Sequence, residues 1–195
     1  RQQNPNDRRS NTIILTDLAY SLRDDAKTKG ISILNRMLDG IPEDELHSFL
    51  QTLEIKLILT HYFSHGVTEW TVWFENTSDK NSGVIEGLKT ELSFVGEHPV
   101  LKGILGDHGN QYRPYCIDLQ NAPDHTVEFS SDSGRATHGN FPYFNLEYGD
   151  GGAMLAIGWA GTWKASFSSC GDMTTYTASS VNGLKTYLKP GEKIR

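Results

Sequence analysis

Two histidines four residues apart, His61 and His65, have the spacing that binds a metal ion on an α-helix. On a helix, this spacing places both imidazoles on one face. The flanking residues here predict a strand that runs into a turn, so we interpret the pair as one strand histidine and one turn histidine. No third ligand stands at a suitable spacing for zinc. The sequence therefore predicts no metal site.

The acidic residues that could hydrolyse a glycosidic bond are scattered along the chain. Asp107 and Asp124 fall in predicted loops, and Glu147 and Asp150 lie near a predicted hairpin. Such hydrolysis needs two carboxylates held at a fixed separation across the scissile bond. The sequence alone pairs none of them, and we interpret all four as solvated loop acids.

Nucleophile and phosphate-binding motifs are absent from the sequence. No Gly-x-Ser-x-Gly elbow occurs, and SFSSCGD (166–172) offers serines and a cysteine without a base. GDHGN (106–110) and YGDGG (148–152) match neither a Walker A loop nor a dinucleotide fingerprint. The second is best explained as a hairpin turn in which Asp150-Gly151 provides the backbone angles. We predict no catalytic residue and no cofactor in this chain.

Four tryptophans are the informative part of the sequence. Trp70 and Trp73 fall on opposite faces of one predicted strand, and Trp159 and Trp163 flank a bend at Ala160-Gly161. A tryptophan ring offers a flat face for the C–H surface of a sugar and an N–H donor for a hydroxyl. The alternative is that large aromatic side chains in a sandwich form its core. The residues alone leave both interpretations open.

Composition excludes several classes of protein. The chain has 195 residues and a net charge of −6, whereas a nucleic-acid-binding protein needs a basic surface. No run approaches 18 consecutive apolar residues, so no membrane span is predicted. Cys116 and Cys170 lack C-x-x-C spacing, and isolated thiols are favoured over a disulfide between them. The tripeptide Asn76-Thr77-Ser78 matches an N-glycosylation signal. The compartment stays unassigned.

Apolar residues alternate with polar ones over most of the chain from residue 52 onward. This period of two is typical of half-buried strands, and glycine-rich or polar turns separate them. We predict an all-β fold, a large antiparallel β-sandwich, as a single domain over residues 12–195. A flexible leader (1–11) precedes it, and a short helix is predicted near residues 42–50. The predicted strands lie within 53–63, 69–76, 85–95, 125–130, 143–148, 153–159, 162–168, 173–178 and 184–189.

The two strands around the tryptophan bend differ in pattern. AMLAIGW (153–159) has apolar residues at both odd and even positions, which point to opposite faces of a strand, and so predicts a central strand covered on both faces. TWKASFS (162–168) alternates and predicts a half-buried strand, joined to the first by a tight bend. On this pattern Trp159 surfaces at the bend, and Trp163 begins the packed face of the next strand.

The second half of the chain resembles the N-terminal domain of glycoside hydrolase family 36, the α-galactosidase group. The likeness covers roughly residues 52–195, and the tryptophan bend followed by the Pro-Gly-Glu turn is its most specific part. Ala160 and Thr162 depart from the family, which more often has a hydroxyl or proline and a glutamine there. The matching elements are Gly134-Arg135-Ala136, Pro142-Tyr143-Phe144, Gly158–Trp163 and Leu188–Glu192, preceded by the strand and Asn-containing turn in 67–88.

The resemblance implies a supersandwich placed before a (β/α)8 barrel that carries the two catalytic aspartates of a retaining mechanism. The chain ends at Arg195, where that barrel should begin, so we expect no hydrolysis by this chain alone. The implied partners are a catalytic barrel domain, a galactoside-type carbohydrate through the parent enzyme and a second copy in a homo-oligomer. The implied residues at the rim of a sugar pocket are Trp159, Trp163, Asp107, His108, Tyr112 and Arg135.

Two other hypotheses remain. A free-standing carbohydrate-binding module would use exposed tryptophans, and a small hydrolase would need an acid pair or a nucleophile motif that the sequence does not present. The favoured hypothesis is a non-catalytic domain of an α-galactosidase-like hydrolase that serves folding, assembly and the shaping of the sugar pocket.

Overall fold

The computed structural model describes residues 2–3, 11–12, 53–109 and 111–195. The predicted helix near residues 42–50 and most of the predicted leader lie outside these residues. A short 3-10 turn, Pro123–His125, precedes β9. The strands are β1 Gln2–Gln3, β2 Asn11–Thr12, β3 Leu53–Tyr62, β4 Val67–Asn76, β5 Ile85–Glu86, β6 Lys89–Val95, β7 Val100–Leu105, β8 Pro114–Asp118, β9 Thr126–Ser130, β10 Asn140–Tyr148, β11 Gly151–Ala156, β12 Trp163–Cys170, β13 Met173–Ser180, β14 Lys185–Thr186 and β15 Lys193–Ile194.

Two four-stranded antiparallel sheets form the main body. Sheet I has the order β11-β10-β7-β8, and sheet II has the order β6-β13-β12-β9. Both sheets contribute side chains to one buried cluster, so the predicted all-β sandwich is confirmed. The cluster consists of Leu101, Leu119, Phe129, Phe144, Leu146, Trp163, Ala165, Phe167 and Tyr176.

Alternation along the strands explains which side chains reach this core. In β12, Trp163, Ala165 and Phe167 are buried while the residues between them are more exposed, which confirms a half-buried strand. In β10, Phe144 and Leu146 point inward in the same way. Burial of these large side chains is the main favourable contribution to the stability of the sandwich.

The prediction that residues 153–159 form a central strand covered on both faces is wrong. The strand there, β11, is an edge strand of sheet I that pairs only with β10 among the described strands. Ala153 and Leu155 are partly buried, but Met154 between them is 84% exposed. An edge strand that is covered on one face can still carry apolar residues on its exposed face. Apolar residues at both alternating sets of positions therefore did not indicate burial on both faces.

The turn between β10 and β11 is the predicted hairpin. Tyr148 pairs with Gly151, which leaves Gly149 and Asp150 as the two central residues. The positive φ of +51° is at Gly149, the first central position, rather than within Asp150-Gly151. A glycine at that position is typical of a type II′ turn, whose twist matches the flanking strands.

The tryptophan bend does not join adjacent strands. β11 belongs to sheet I and β12 to sheet II, so residues 157–162 cross from one sheet of the sandwich to the other. The predicted tight bend is therefore an inter-sheet connection. Its backbone is tied at both ends, because Ile157 N donates to Pro142 O and Val181 N donates to Thr162 O.

A second, smaller sheet has the order β15-β4-β3 and its own apolar cluster. The predicted alternation of β3 is confirmed, since Leu53 and Ile55 point toward this cluster while Glu54 and Lys56 are exposed. Phe74 of β4 packs with Leu53, Ile85 and Leu188. The segment that contains Leu188 thus closes the small core from the C-terminal side.

A buried asparagine organises the junction between β4 and the C-terminal segment. We call Asn76, Ser82, Leu188 and the turn 189–192 the Asn76 clasp. The amide nitrogen of Asn76 donates to Lys80 O (2.7 Å) and Leu188 O (2.8 Å), and its oxygen accepts from the N–H (3.0 Å) and hydroxyl (2.8 Å) of Ser78. Because Asn76 has an exposed fraction of 0%, the glycosylation tripeptide is inaccessible in this fold.

Candidate functional site

Five of the six predicted rim residues lie in the connections at one end of the sandwich, and the sixth, Trp163, begins β12 at the same end. Strand register defines this end: Leu105 pairs with Asn140, Ala156 with Tyr143, and Ser130 with Lys164. The connections that leave these positions are 106–113, 131–139 and 157–162. We call them together the loop end. The structure therefore gathers residues that are up to 56 positions apart in the sequence, from Asp107 to Trp163.

Backbone hydrogen bonds fix the first two connections against each other. Gly106 N donates to Gly139 O (2.9 Å), and Asp107 N donates to Thr137 O (3.0 Å). A Cβ at position 106 would stand 2.1 Å from Thr137 O. Only glycine fits there, because the two backbones approach too closely for a side chain.

The carboxylate of Asp107 joins the two connections through side chains. Its Oδ2 accepts from Thr137 Oγ1 at 3.3 Å and lies 3.7 Å from Arg135 Nη1. Its Oδ1 is buried and has no hydrogen-bond partner among the described residues. Arg135 is exposed. Its guanidinium can therefore reach an oxygen-rich ligand in solvent while it neutralises Asp107.

Two imidazoles stack beside this ion pair. The rings of His108 and His138 are 4.4 Å apart at 18°, and Nδ1 of the mostly buried His138 contacts Asp132 Oδ1. The resemblance to the α-galactosidase group implied His108 but not His138, Thr137 or Asp132. All three belong to one glycine-flanked connection, and such connections position polar side chains at strand ends.

Tyr112 lies at the outer margin of the loop end. Its side chain is 50% exposed, its φ is +55°, and its ring meets Phe141 edge-on at 6.1 Å. A positive φ is uncommon in a residue with a Cβ, and such conformations persist where the surroundings enforce them. Tyr112 N is held by Gly106 O at 3.2 Å.

The two tryptophans of the bend occupy opposite environments. Trp163 has an exposed fraction of 0%, and its indole N–H donates to Ala136 O at 2.7 Å. Its backbone exchanges hydrogen bonds with Ser131. A ligand in solvent does not reach this ring, so Trp163 supports the 131–139 connection from beneath.

Trp159 is exposed to solvent by 55%. Its indole folds back over Gly161, where a Cβ would stand 2.7 Å from the ring nitrogen. Gly161 thus leaves room for the ring. Of the two tryptophans, Trp159 is the one that can present a flat apolar surface to a ligand.

The remaining polar candidates are dispersed. His61 on β3 and His65 in the following turn hydrogen-bond Thr68 and Ser64 respectively, which confirms the strand-and-turn interpretation. Asp124 and Asp150 lie at the opposite end of the sandwich from Asp107, since they lie in the connections before β9 and between β10 and β11. The structure brings no two of the four predicted acids together across a shared pocket within the described residues.

Several sequence predictions concern reactive or membrane features. Cys116 and Cys170 are both free and exposed, so the prediction of isolated thiols is confirmed. No group of three or more potential metal ligands occurs in residues 53–109 and 111–195. In the part of the chain that is described, none of the helical structure is long and apolar enough to cross a membrane.

Comparison with known proteins identifies the fold. No family model and no curated protein matches the chain. Solved structures of α-galactosidases do match. The galactosidase domain of the α-galactosidase–sucrose kinase AgaSK has a TM-score of 0.57 at 17% identity, over 73% of this chain and 21% of that chain.

Two further structures give the same result. The family 36 α-galactosidase AgaA of Geobacillus stearothermophilus matches with a TM-score of 0.56 at 16% identity, and the Lactobacillus brevis α-galactosidase with 0.56 at 13%. Each match covers 73% of this chain and 20% of the other. The chain thus shares the fold of about a fifth of these enzymes, and the resemblance inferred from the motifs is confirmed at the level of fold.

Proposed function

We propose that this chain is the non-catalytic N-terminal β-sandwich domain of an α-galactosidase-like glycoside hydrolase. The observation that carries the proposal is the convergence of the predicted rim residues Asp107, Tyr112, Arg135 and Trp159 at one end of a sandwich whose fold occurs in such enzymes. AgaA has been solved with raffinose and with stachyose. A galactoside bound by the parent enzyme is accordingly the proposed ligand.

The chemistry of the loop end fits a rim rather than a catalytic centre. Arg135, beside Asp107, offers hydrogen bonds to sugar hydroxyls, and Trp159 offers an apolar face. The described residues contain no pair of carboxylates spaced across a common cavity, as glycoside hydrolysis requires. The reaction itself is assigned to a barrel domain that stands against the loop end.

Folding and assembly are the other proposed roles. The Asn76 clasp joins β4 to the C-terminal segment, so it fixes the direction of the chain where a following domain would start. The distal half of the β3–β4 hairpin exposes Tyr62, Phe63 and Val67. Exposed apolar residues of this kind suit a contact with a second copy or with the barrel.

The first test is the reading frame downstream of Arg195. We expect a (β/α)8 barrel with paired catalytic aspartates, and a stop codon directly after Arg195 contradicts the proposal. The isolated chain should then show no activity on a nitrophenyl α-galactoside.

The second test uses the parent enzyme. Asp107→Asn should raise KM for raffinose about threefold to tenfold and leave kcat unchanged, because a rim residue contributes uniform binding. Asp150→Asn, the same exchange at an exposed acid in the hairpin turn at the opposite end of the sandwich, is the matched control and should change neither constant. An unchanged KM in Asp107→Asn contradicts the proposal that the loop end forms the rim of the sugar pocket.

A free-standing carbohydrate-binding module is the second candidate, favoured by the exposure of Trp159. Titration of the isolated chain with galactose and raffinose distinguishes this module from a domain of a larger hydrolase. Binding by the isolated chain that Trp159→Ala abolishes supports the module, and a lack of binding at millimolar sugar counts against it.

A further inference from the structure

The outward face of sheet I carries aromatic side chains that the core does not use. Tyr143 alternates with the buried Phe144 in β10 and therefore points away from the sandwich. Its ring stacks on Phe141 at 5.3 Å and 29°, and Phe141 in turn meets Tyr112. We call Tyr112, Phe141 and Tyr143 the outer aromatic row.

Tyr112 and Tyr143 of the row are exposed, and Phe141 between them is partly buried. Tyr143 is 53% exposed, and Met154, which stands diagonally across from it on β11, is 84% exposed. The inner face already buries Phe144 and Leu146, so the outer rings are not required to fill the core. A contiguous exposed apolar patch on a folded domain marks a binding surface.

Polar groups continue the row along the same strand. Asn145 and Glu147 follow Tyr143 at intervals of two residues, which places them on the same face about 7 Å apart. Asn145 Nδ2 donates to Glu147 Oε1 at 3.2 Å, and Lys102 Nζ on the adjacent β7 pairs with Glu147 Oε2 at 2.7 Å. The outward face thus presents flat rings beside a row of donors and acceptors.

The electrostatics of this face favour a neutral, hydroxyl-rich ligand. Lys102 and Glu147 neutralise each other next to Asn145. Asp118, on the same face at β8, lies two strands from Glu147 and accepts hydrogen bonds from Gln120 N and Asn121 Nδ2. A protein partner that covered the pair with apolar surface would desolvate both ions at a cost that their attraction does not always repay. Sugar hydroxyls replace the hydrogen bonds to water while the C–H face of the sugar covers a ring.

We propose that the outward face of sheet I binds a neutral oligosaccharide, with one sugar ring against Tyr143 and hydroxyls on Asn145, Lys102 and Glu147. This site lies on a sheet face and uses none of Asp107, Arg135 or Trp159, although Tyr112, through its contact with Phe141, stands where the row meets the loop end. It does not depend on a catalytic barrel.

The test is titration of the full chain with raffinose, cellotetraose and a soluble galactomannan, followed by calorimetry and by amide shifts in NMR spectra. At least one probe should bind and shift the amides of β10 and β11. Tyr143→Ala should weaken that binding about tenfold, which corresponds to the loss of one aromatic stacking contact. Tyr187→Ala removes a tyrosine of similar exposure and should leave the affinity unchanged.

Four outcomes overturn the proposal. The first is that none of the probes binds, and the second is that Tyr143→Ala binds the probe as tightly as the unaltered chain does. Alternatively, Arg135→Ala abolishes binding, which places the sugar at the loop end and supports the rim instead. Finally, sedimentation shows self-association that Tyr143→Ala removes, which makes the face a protein interface. Kinetics of the parent enzyme test the rim separately, so failure of one proposal is distinguishable from failure of the other.

Discussion

The Asn76 clasp and the loop end both contain residues of the motifs that suggested an α-galactosidase-like domain, yet they use those residues differently. In the clasp, a fully buried amide has every donor and acceptor satisfied by protein atoms. At the loop end, the exposed Arg135 makes one long contact of 3.7 Å with the partly buried Asp107. Similar motif content therefore supports stability in one region and an accessible surface in the other.

The difference is physical. A buried polar group must be hydrogen-bonded, since an unpaired one costs about 1–3 kcal/mol, whereas an exposed pair exchanges freely with water. Substitutions in the clasp should consequently reduce the free energy of unfolding. Substitutions of the exposed residues at the loop end should instead change the affinity for a ligand.

Trp163→Ala tests whether the loop end has a structural layer beneath its exposed one. Removal of the fully buried indole, with its hydrogen bond to Ala136 O, should lower the free energy of unfolding by about 3–5 kcal/mol. Urea unfolding measures this loss. Trp159→Ala is the matched control and should stay within about 0.5 kcal/mol, because its ring is exposed. Equal losses in the two variants would contradict the assignment of separate roles.

Asn76→Ala tests the clasp. The variant leaves Leu188 O and Lys80 O without their donor and should lower the free energy of unfolding by about 2–3 kcal/mol in the same assay. Asn81→Ala, at an exposed position in the same loop, should change it by less than about 0.5 kcal/mol. If Asn76→Ala and Asn81→Ala lower the free energy of unfolding equally, the clasp is not what joins β4 to the C-terminal segment.

Tyr115 on β8 provides the opposite case to Asn76, a buried polar group without a partner. Its hydroxyl has no hydrogen-bond partner among the described residues, and burial raises its pKa above the usual value near 10. Above about pH 10 the unfolded tyrosine therefore loses its proton while the folded one retains it. Because the folded state then binds more protons, the free energy of unfolding falls as pH rises.

Tyr115→Phe should make this alkaline loss of stability shallower and leave stability at pH 7 unchanged or slightly higher. Unfolding curves collected between pH 7 and 11 measure it. Burial also raises the pKa of Tyr176, so part of the alkaline loss should remain in the variant. A marked loss of stability at pH 7 would indicate that the Tyr115 hydroxyl is satisfied after all.

Arg135→Ala should have the smallest effect on folding. The pair with Asp107 spans 3.7 Å between exposed and partly exposed side chains, so its loss should cost less than about 0.5 kcal/mol. A double-mutant cycle with Asp107→Ala isolates the coupling. A coupling above about 1 kcal/mol would place this ion pair with the clasp as a structural element.

Sequence periodicity predicted most of the sandwich but missed some strands. β10, β12 and β13 follow the alternation of apolar and polar residues, which a strand half-covered by a core imposes locally. β7 and β8 were missed, and β8 begins with Pro114, which weakens a strand pattern and occurs at edges. The misassignment of β11 arose because an edge strand and a central strand can carry the same composition.

Among the site residues, the resemblance to the α-galactosidase group implied Asp107, His108 and Arg135 but not the side chains that surround them. Thr137, His138 and Asp132 have no local pattern that separates them from ordinary loop residues. Their proximity to Asp107 depends on the pairing of β7 with β10, a contact across more than 30 residues of sequence. Such pairings leave no local signal.

By itself, the sequence determined the all-β class, the inward faces of the principal strands and the likeness to α-galactosidase sandwiches. Alternation and turn chemistry are local properties that every strand must satisfy. The alternation of 162–168 also predicted a packed Trp163 and a surfacing Trp159, which the structure confirms. Only the tertiary structure decided that Trp163 donates its indole N–H to Ala136 O beneath the 131–139 connection, that Asn76 is a buried clasp, and that β11 is an edge. Those outcomes depend on which sheet each strand joins, and strand order follows from packing across the whole domain.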